Sequence, residues 1–148
     1  MQYPFKPKSK SNLKKGQYWT IERSDGKFCC GIVLDTIQNN TTLFLAGLLD
    51  WVGFTKPTNE LILGKPIIHQ GQVHIKTILE YYGYITGELK LNEAPLPLLC
   101  VEHLGAEHWG LLQGLDLLKT ISEEEAKNYP TKSTWGYNAI NIHAEKIS

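Results

Sequence analysis

Histidine and cysteine offer the widest chemistry in this chain, and their spacing decides how much of it they can perform. Glu102-His103 and Glu107-His108 form a doubled acid–imidazole pair. A step of five residues misses a single helix face, and on a strand the two rings would point to opposite sides. The pair could chelate only through the turn Leu104-Gly105-Ala106, and no HExxH, CxxC or carboxylate-rich loop stands beside it to complete a metal set. Hydrogen-bonded loop histidines are therefore expected, with no metal and no cofactor. His69 and His74 bracket Gln70-Gly71-Gln72. If Gly71 opens a helix, His74 falls in its first turn, where the dipole end suits catalysis or an anion; a plain polar first turn is the simpler reading.

A cysteine nucleophile needs a thiolate, hence a nearby histidine or a helix N-terminus. Cys29 and Cys30 lie inside an apolar run and Cys100 stands between Leu99 and Val101, so all three read as core thiols. Neighbours on a strand face opposite ways and cannot bridge each other. Three cysteines without framework spacing argue for reduced thiols in a reducing compartment. Phosphate-cradling glycine loops and a GxSxG elbow are missing, and the acidic run Glu123–Glu125 is better explained as a helix start. No reaction is named by these residues, and the expectation is a binding protein, not an enzyme.

Binding chemistry is better represented. Trp19, Trp51, Trp109 and Trp135 each sit in or beside a strand-like run, where core packing with a bonded indole N–H is the ordinary role. Trp51, next to Asp50, is the candidate for an exposed anchor at a protein interface. Formal charge is zero over 148 residues, but residues 1–15 hold five lysines and no acid, leaving 10 basic and 15 acidic side chains after them. A body near −5 (10 − 15) does not suit general nucleic-acid binding. It suits a basic protein partner, with Asp50, Glu102, Glu107 and Asp116 as the acidic contacts.

These side chains must be placed by the elements around them. The stretch Thr41–Gly53 is the longest apolar run, and Thr42–Trp51 reads as a strand in preference to a buried helix, with Gly47 allowing a bend. Before it, Gln17–Arg23 alternates as a half-buried strand, and Asp25-Gly26 supplies the positive φ of a tight turn. The return strand Lys27–Ile37 is apolar on both faces and should be central, with Gly31 marking a bulge or a close crossing. The polar loop Gln38–Asn40 then leads into the third strand. Beyond it, Lys56–Glu60 opens a helical turn that Gly64-Lys65-Pro66 closes. Within Ile67–Tyr84, apolar spacing and the unbroken stretch after Gly71 favour a helix ending at Gly83. Tyr84–Leu91 and Leu98–Val101 read as short strands, the first kinked at Gly87, and Trp109–Leu118 as an apolar run cut by Gly110 and Gly114. Ser122 with Glu125 forms a capping box, and Thr134–His143 alternates like a closing strand. Residues 1–15 read as a basic flexible arm and 16–148 as one domain. The first residues lack the apolar segment of a secretory signal and no run reaches the length of a membrane span, so a cytoplasmic location is expected. The fold class is α+β, a strongly bent antiparallel sheet with an SH3-like N-terminal meander and one or two short helices.

The order of these motifs resembles the immunity protein 26 family of bacterial toxin–immunity systems. Gly16, Trp19 and Ile21, then Asp25-Gly26-Lys27-Phe28 leading to Gly31-Ile32-Val33-Leu34, resemble its opening. LFLAGLLDWVG, Pro57-Thr58, Gln70–Ile78, Gly87 and Ser133-Thr134-Trp135-Gly136-Tyr137 resemble one of its branches, so the likeness spans roughly residues 16–140. It implies a cytoplasmic bacterial protein that binds and neutralises a toxin domain, with no catalytic residue or cofactor to carry over. The toxin would be a cognate protein, basic and nuclease-like in the electrostatic version. Trp19, Gly26, Gly31, Gly47, Gly71, Trp135 and Gly136 would be framework positions, and Cys29-Cys30 departs from the smaller or aromatic residues expected there. The alternative is a small β-rich module for a small ligand or nucleic acid, with Tyr18 and Trp51 on its sheet and the lysine arm on phosphate. An open sheet edge would permit a dimer, which nothing in the residues demands.

Overall fold

The computed structural model describes residues 2–38 and 42–148, so Asn39 and Asn40 of the expected loop, and Thr41, lie outside the described residues. Alternation in the first half of the chain builds a five-stranded antiparallel sheet. Strands β1 (Gln17–Glu22), β2 (Phe28–Thr36), β3 (Leu43–Leu49), β4 (Ile67–His74) and β5 (Ile85–Glu88) take the order β4-β3-β2-β1-β5. The β1–β2 turn is made as the sequence demands: Gly26 has φ +83° and the Asp25 carboxylate accepts from the Lys27 N–H at 3.0 Å. Bulges at Tyr18/Trp19, Val33/Asp35 and Leu48/Leu49 bend the sheet.

Both faces of this sheet are covered, which is why β2 is apolar on both sides. One face gathers Trp19, Cys29, Val33, Phe44, Leu48 and Val73 beneath Ile140 and Ala144. The other gathers Tyr18, Cys30, Ile32, Leu49, Trp51 and Ile62. Gly31 faces Trp19 across the β1–β2 ladder, and an added Cβ would lie 2.3 Å from the indole. The close approach at Gly31 is thus a side chain and not a crossing backbone. Gly47 leaves room in the same way for Leu34 and Ile67.

The second half forms a separate three-stranded antiparallel sheet of β6 (Leu99–Gly105), β7 (His108–Gln113) and β8 (Asp116–Ser122). Gly114, at φ +64°, turns β7 into β8, so the glycine that cut the apolar run is a hairpin turn. Among the described residues, four short α-helices complete an α+β architecture: α1 (Asn59–Ile62), α2 (Lys76–Leu79), α3 (Glu123–Ala126) and α4 (Ala139–Glu145). Thr58 caps α1, and Ser122 caps α3 by accepting from the Glu125 N–H at 3.1 Å. α3 places Ala126 with Val101, Leu111 and Ile121 on one face of the second sheet. Among the described residues, no helix is long and apolar enough to cross a membrane.

Three expectations are corrected. Ile67–His74 is strand, and only Lys76–Leu79 is helical before Gly83 turns the chain at φ +88°. The apolar spacing there mixed two periods, and pairing with β3 decided the first eight residues. Gly71 therefore opens no helix; it pairs with Ala46 inside β4. Thr134–His143 is not a strand either: Thr134 makes one parallel bridge to Gln72, and the rest turns into α4. Residues 2–15 are packed, not a free arm. Phe5 bridges Ile85, Leu13 is buried in the core, Lys10 donates to the Ile37 carbonyl and Lys15 pairs with Asp35 at 3.6 Å. The few apolar side chains of the basic start find partners on the body and hold it there.

Candidate functional site

Two outer strand edges, β4 and β6, are joined by residues 130–135, which belong to no strand. The Val101 N–H donates to the Pro130 carbonyl and the Lys132 N–H to the Val101 carbonyl, both at 2.9 Å. Three residues on, the Gln72 N–H donates to the Ser133 carbonyl at 2.9 Å and the Trp135 N–H to the Gln72 carbonyl at 2.8 Å. This strap holds the sheets together but leaves the edges apart where it crosses between them. The result is a crevice of about 290 Å³ lined by Ile68–Gly71, Leu98–Cys100, Gly114, residues 130–133, Trp135 and His143.

The wall of the crevice is built from residues spaced along β4. Trp135 lies over Gly71, where an added Cβ would meet the indole at 2.5 Å, so the glycine is needed for the ring's seat. Two residues earlier, on the same face, His69 stacks on His143 of α4 with ring centroids 4.1 Å apart, and His143 also tilts against Trp135 at 5.1 Å. Burial holds the His143 imidazole below its ordinary pKa, helped by the neighbouring His69 and Lys146. On the opposite side of β4 the Gln70 amide clamps the next segment, accepting from the Leu98 N–H at 2.7 Å and donating to its carbonyl at 3.1 Å. Cys100 is buried and its thiol is pushed up by that burial, as are those of Cys29 and Cys30, so none is a ready nucleophile.

A second surface is aromatic. Phe54 is 83% exposed, with the Lys27 ammonium 5.4 Å from its ring centroid. Two residues on, Lys56 stands 4.9 Å over Tyr82, which meets the exposed Tyr84 edge-on at 6.0 Å. The loop after β3 and the turn before β5 are thereby joined into one aromatic rim carrying two lysines.

The residues picked out from sequence fall elsewhere. Trp51 is buried in the core, its ring filling the space beside Gly53, and is not an exposed anchor. Asp50 is exposed at the end of β3. Glu102 pairs with Lys132 at 3.5 Å. Glu107 and Asp116 are exposed at opposite ends of β7, about 17 Å apart at strand spacing, so the acids form no single patch. His103 bonds the Ala106 carbonyl at 2.7 Å and tilts against Trp109, His108 is exposed, and the His74 ring accepts from the Lys76 N–H. These three do not converge, and among the described residues no cluster could hold a metal ion. Among the described residues, the buried indole N–H groups of Trp19 and Trp109 find no partner, against the bonded role expected of them. Gly136 lies in the turn before α4 with only ordinary contact around it.

The sequence does not single out His143, Lys132, Phe54, Tyr82 or Tyr84, and it pairs His69 with His74 instead of with His143. The signal for Phe54 was present: a large aromatic in a Gly-Phe-Thr-Lys-Pro loop has no strand or helix to bury it. His69 and His143 are 74 positions apart and meet only through the fold. Comparison with protein-family models, curated proteins and solved structures yields no match.

Proposed function

We propose that this chain is a non-catalytic protein-binding module of the immunity type, which captures a cognate toxin domain in the cytoplasm by surface contact. The observation that carries the reading is the rim of Phe54, Tyr82 and Tyr84 beneath Lys27 and Lys56. Exposed aromatic side chains with few rotamers are what dominate binding energy at protein interfaces. The order of motifs that resembles the immunity family supports the same reading. The rim is cationic, so the face it meets is apolar with acidic margins, in place of the wholly basic toxin surface that an acidic patch would call for. A second reading, a module for single-stranded nucleic acid, draws on the same lysine-and-aromatic pairing, since bases stack on such rings and lysines reach phosphate.

The test is capture by the tagged chain from a lysate of its source strain, at low and high salt. Recovery of one polypeptide, lost with Phe54→Ala/Tyr84→Ala and kept with Asp50→Lys/Glu102→Lys, is expected. Loss with the acidic pair alone would return the contact to Asp50 and Glu102. Recovery of nucleic acid that washes off with salt would favour the second reading.

A further inference from the structure

The crevice between the sheets carries chemistry that partner capture at the aromatic rim does not use. Among its lining residues are one lysine and two imidazoles, and no carboxylate. Backbone donors add to these. Gln72 and Val101 turn their N–H and C=O outward to the strap, and alternate residues of an antiparallel strand face the same way. Gln70 and Leu99 therefore turn theirs outward too, beyond the reach of the strap, and neither N–H has a backbone partner off the ladder among the described residues. An open strand edge with unpaired N–H groups beside a lysine is a receptor for a negative group.

The remaining lining is flat or apolar. The Trp135 indole and the His143 ring stand at 42° to one another, with Leu45, Ile68 and Leu98 completing the wall. A cleft that is mostly apolar, with a few converging polar groups, is the usual form of a small-molecule site. Its size, about 290 Å³, equals about ten water volumes, which suits a single ring with one charged substituent.

We propose that this crevice is a binding site for a small aromatic carboxylate. The ring lies against Trp135 and His143, and the carboxylate meets the Lys132 ammonium and the outward N–H groups of Gln70 and Leu99. Lys132 reaches the ligand by exchanging its long contact with Glu102, 3.5 Å, for a carboxylate inside the cleft. The site is independent of the partner surface, because no residue of the rim lines it.

The test is an amide NMR titration of the full chain with benzoate, benzyl alcohol, cyclohexanecarboxylate and inorganic phosphate. Benzoate is expected to give saturable shifts at Gly71, Leu99, Gly114 and Ser133. Lys132→Gln, a change at a half-buried surface position, should weaken benzoate about tenfold, as for the loss of one charged hydrogen bond. Benzyl alcohol should not saturate, cyclohexanecarboxylate should bind more weakly, and phosphate should leave these amides unmoved. Shifts that do not saturate, that fall outside the crevice, or that survive Lys132→Gln unchanged would overturn the proposal. Equal binding of phosphate, cyclohexanecarboxylate or benzyl alcohol would overturn the assignment of the ligand class.

Discussion

Single residues divide here into those whose backbone matters and those whose missing side chain matters. Gly26 needs its positive φ and has open space around it, whereas Gly31 has ordinary backbone and lies against Trp19. Gly26→Ala should cost about 1–2 kcal/mol and Gly26→Asn much less, because asparagine tolerates the left-handed region. Gly31→Ala should cost about 1–3 kcal/mol by overpacking, with no relief from asparagine. Urea unfolding of the four variants checks both; relief by asparagine at both sites would contradict the distinction. The three buried thiols should resist alkylation at about pH 8 until the chain unfolds, and fast labelling of Cys29 or Cys30 would refute their burial.

His143 adds a pH dependence with a definite sign. Its folded-state pKa is depressed by burial, then by His69 and Lys146, so the unfolded chain takes up the proton first. Its contribution is intact above the ordinary imidazole value of about 6.5 and is lost as pH falls through that value. The denaturation midpoint should drop between about pH 7.5 and 5.5, and His143→Phe should flatten that drop. Asp25, whose carboxyl is lowered by the Lys27 N–H and then by Arg23, acts in a separate window at more acidic pH. A midpoint that falls equally in His143→Phe would place the titration elsewhere.

Among the elements, those read correctly from sequence carry local signals. The Asp25-Gly26 turn, the two apolar faces of β2 and the Ser122–Glu125 cap each state their own geometry within a few residues. The misread elements depend on distant partners. Ile67–His74 became strand because the edge of β3 was there to pair with it, and Thr134 was held by Gln72 before the chain turned helical. The strap shows the same dependence: residues 130–135 have no strand signature yet tie β4 to β6. Hydrogen exchange should therefore protect the Lys132 and Trp135 amides nearly as well as those of β4, unlike an ordinary surface loop. Loop-like exchange at both would mean that the strap does not hold the sheets. The crevice was illegible for the same reason, since His69, Leu99, Lys132 and His143 come from four separate elements.

The whole molecule is two sheets joined by one strap and by close packing where Leu45 and Pro97 meet the Gly114 turn. One cooperative unfolding transition is expected, followed alike by tryptophan fluorescence and far-ultraviolet dichroism, whereas two separate transitions would show independent halves. Five lysines of the first fifteen residues lie at the start of the acidic body, with Lys15 on Asp35, and the outlying acids are scattered. What the fold gathers instead is an aromatic rim, from loops that composition cannot place. The most direct measurement is a hydrogen-exchange footprint of the chain alone and bound to the polypeptide it captures. Protection concentrated at residues 53–58 and 80–84 is the expected result. Protection centred on the 105–107 turn and the Asp116 end of β8, with the rim unchanged, would contradict the account.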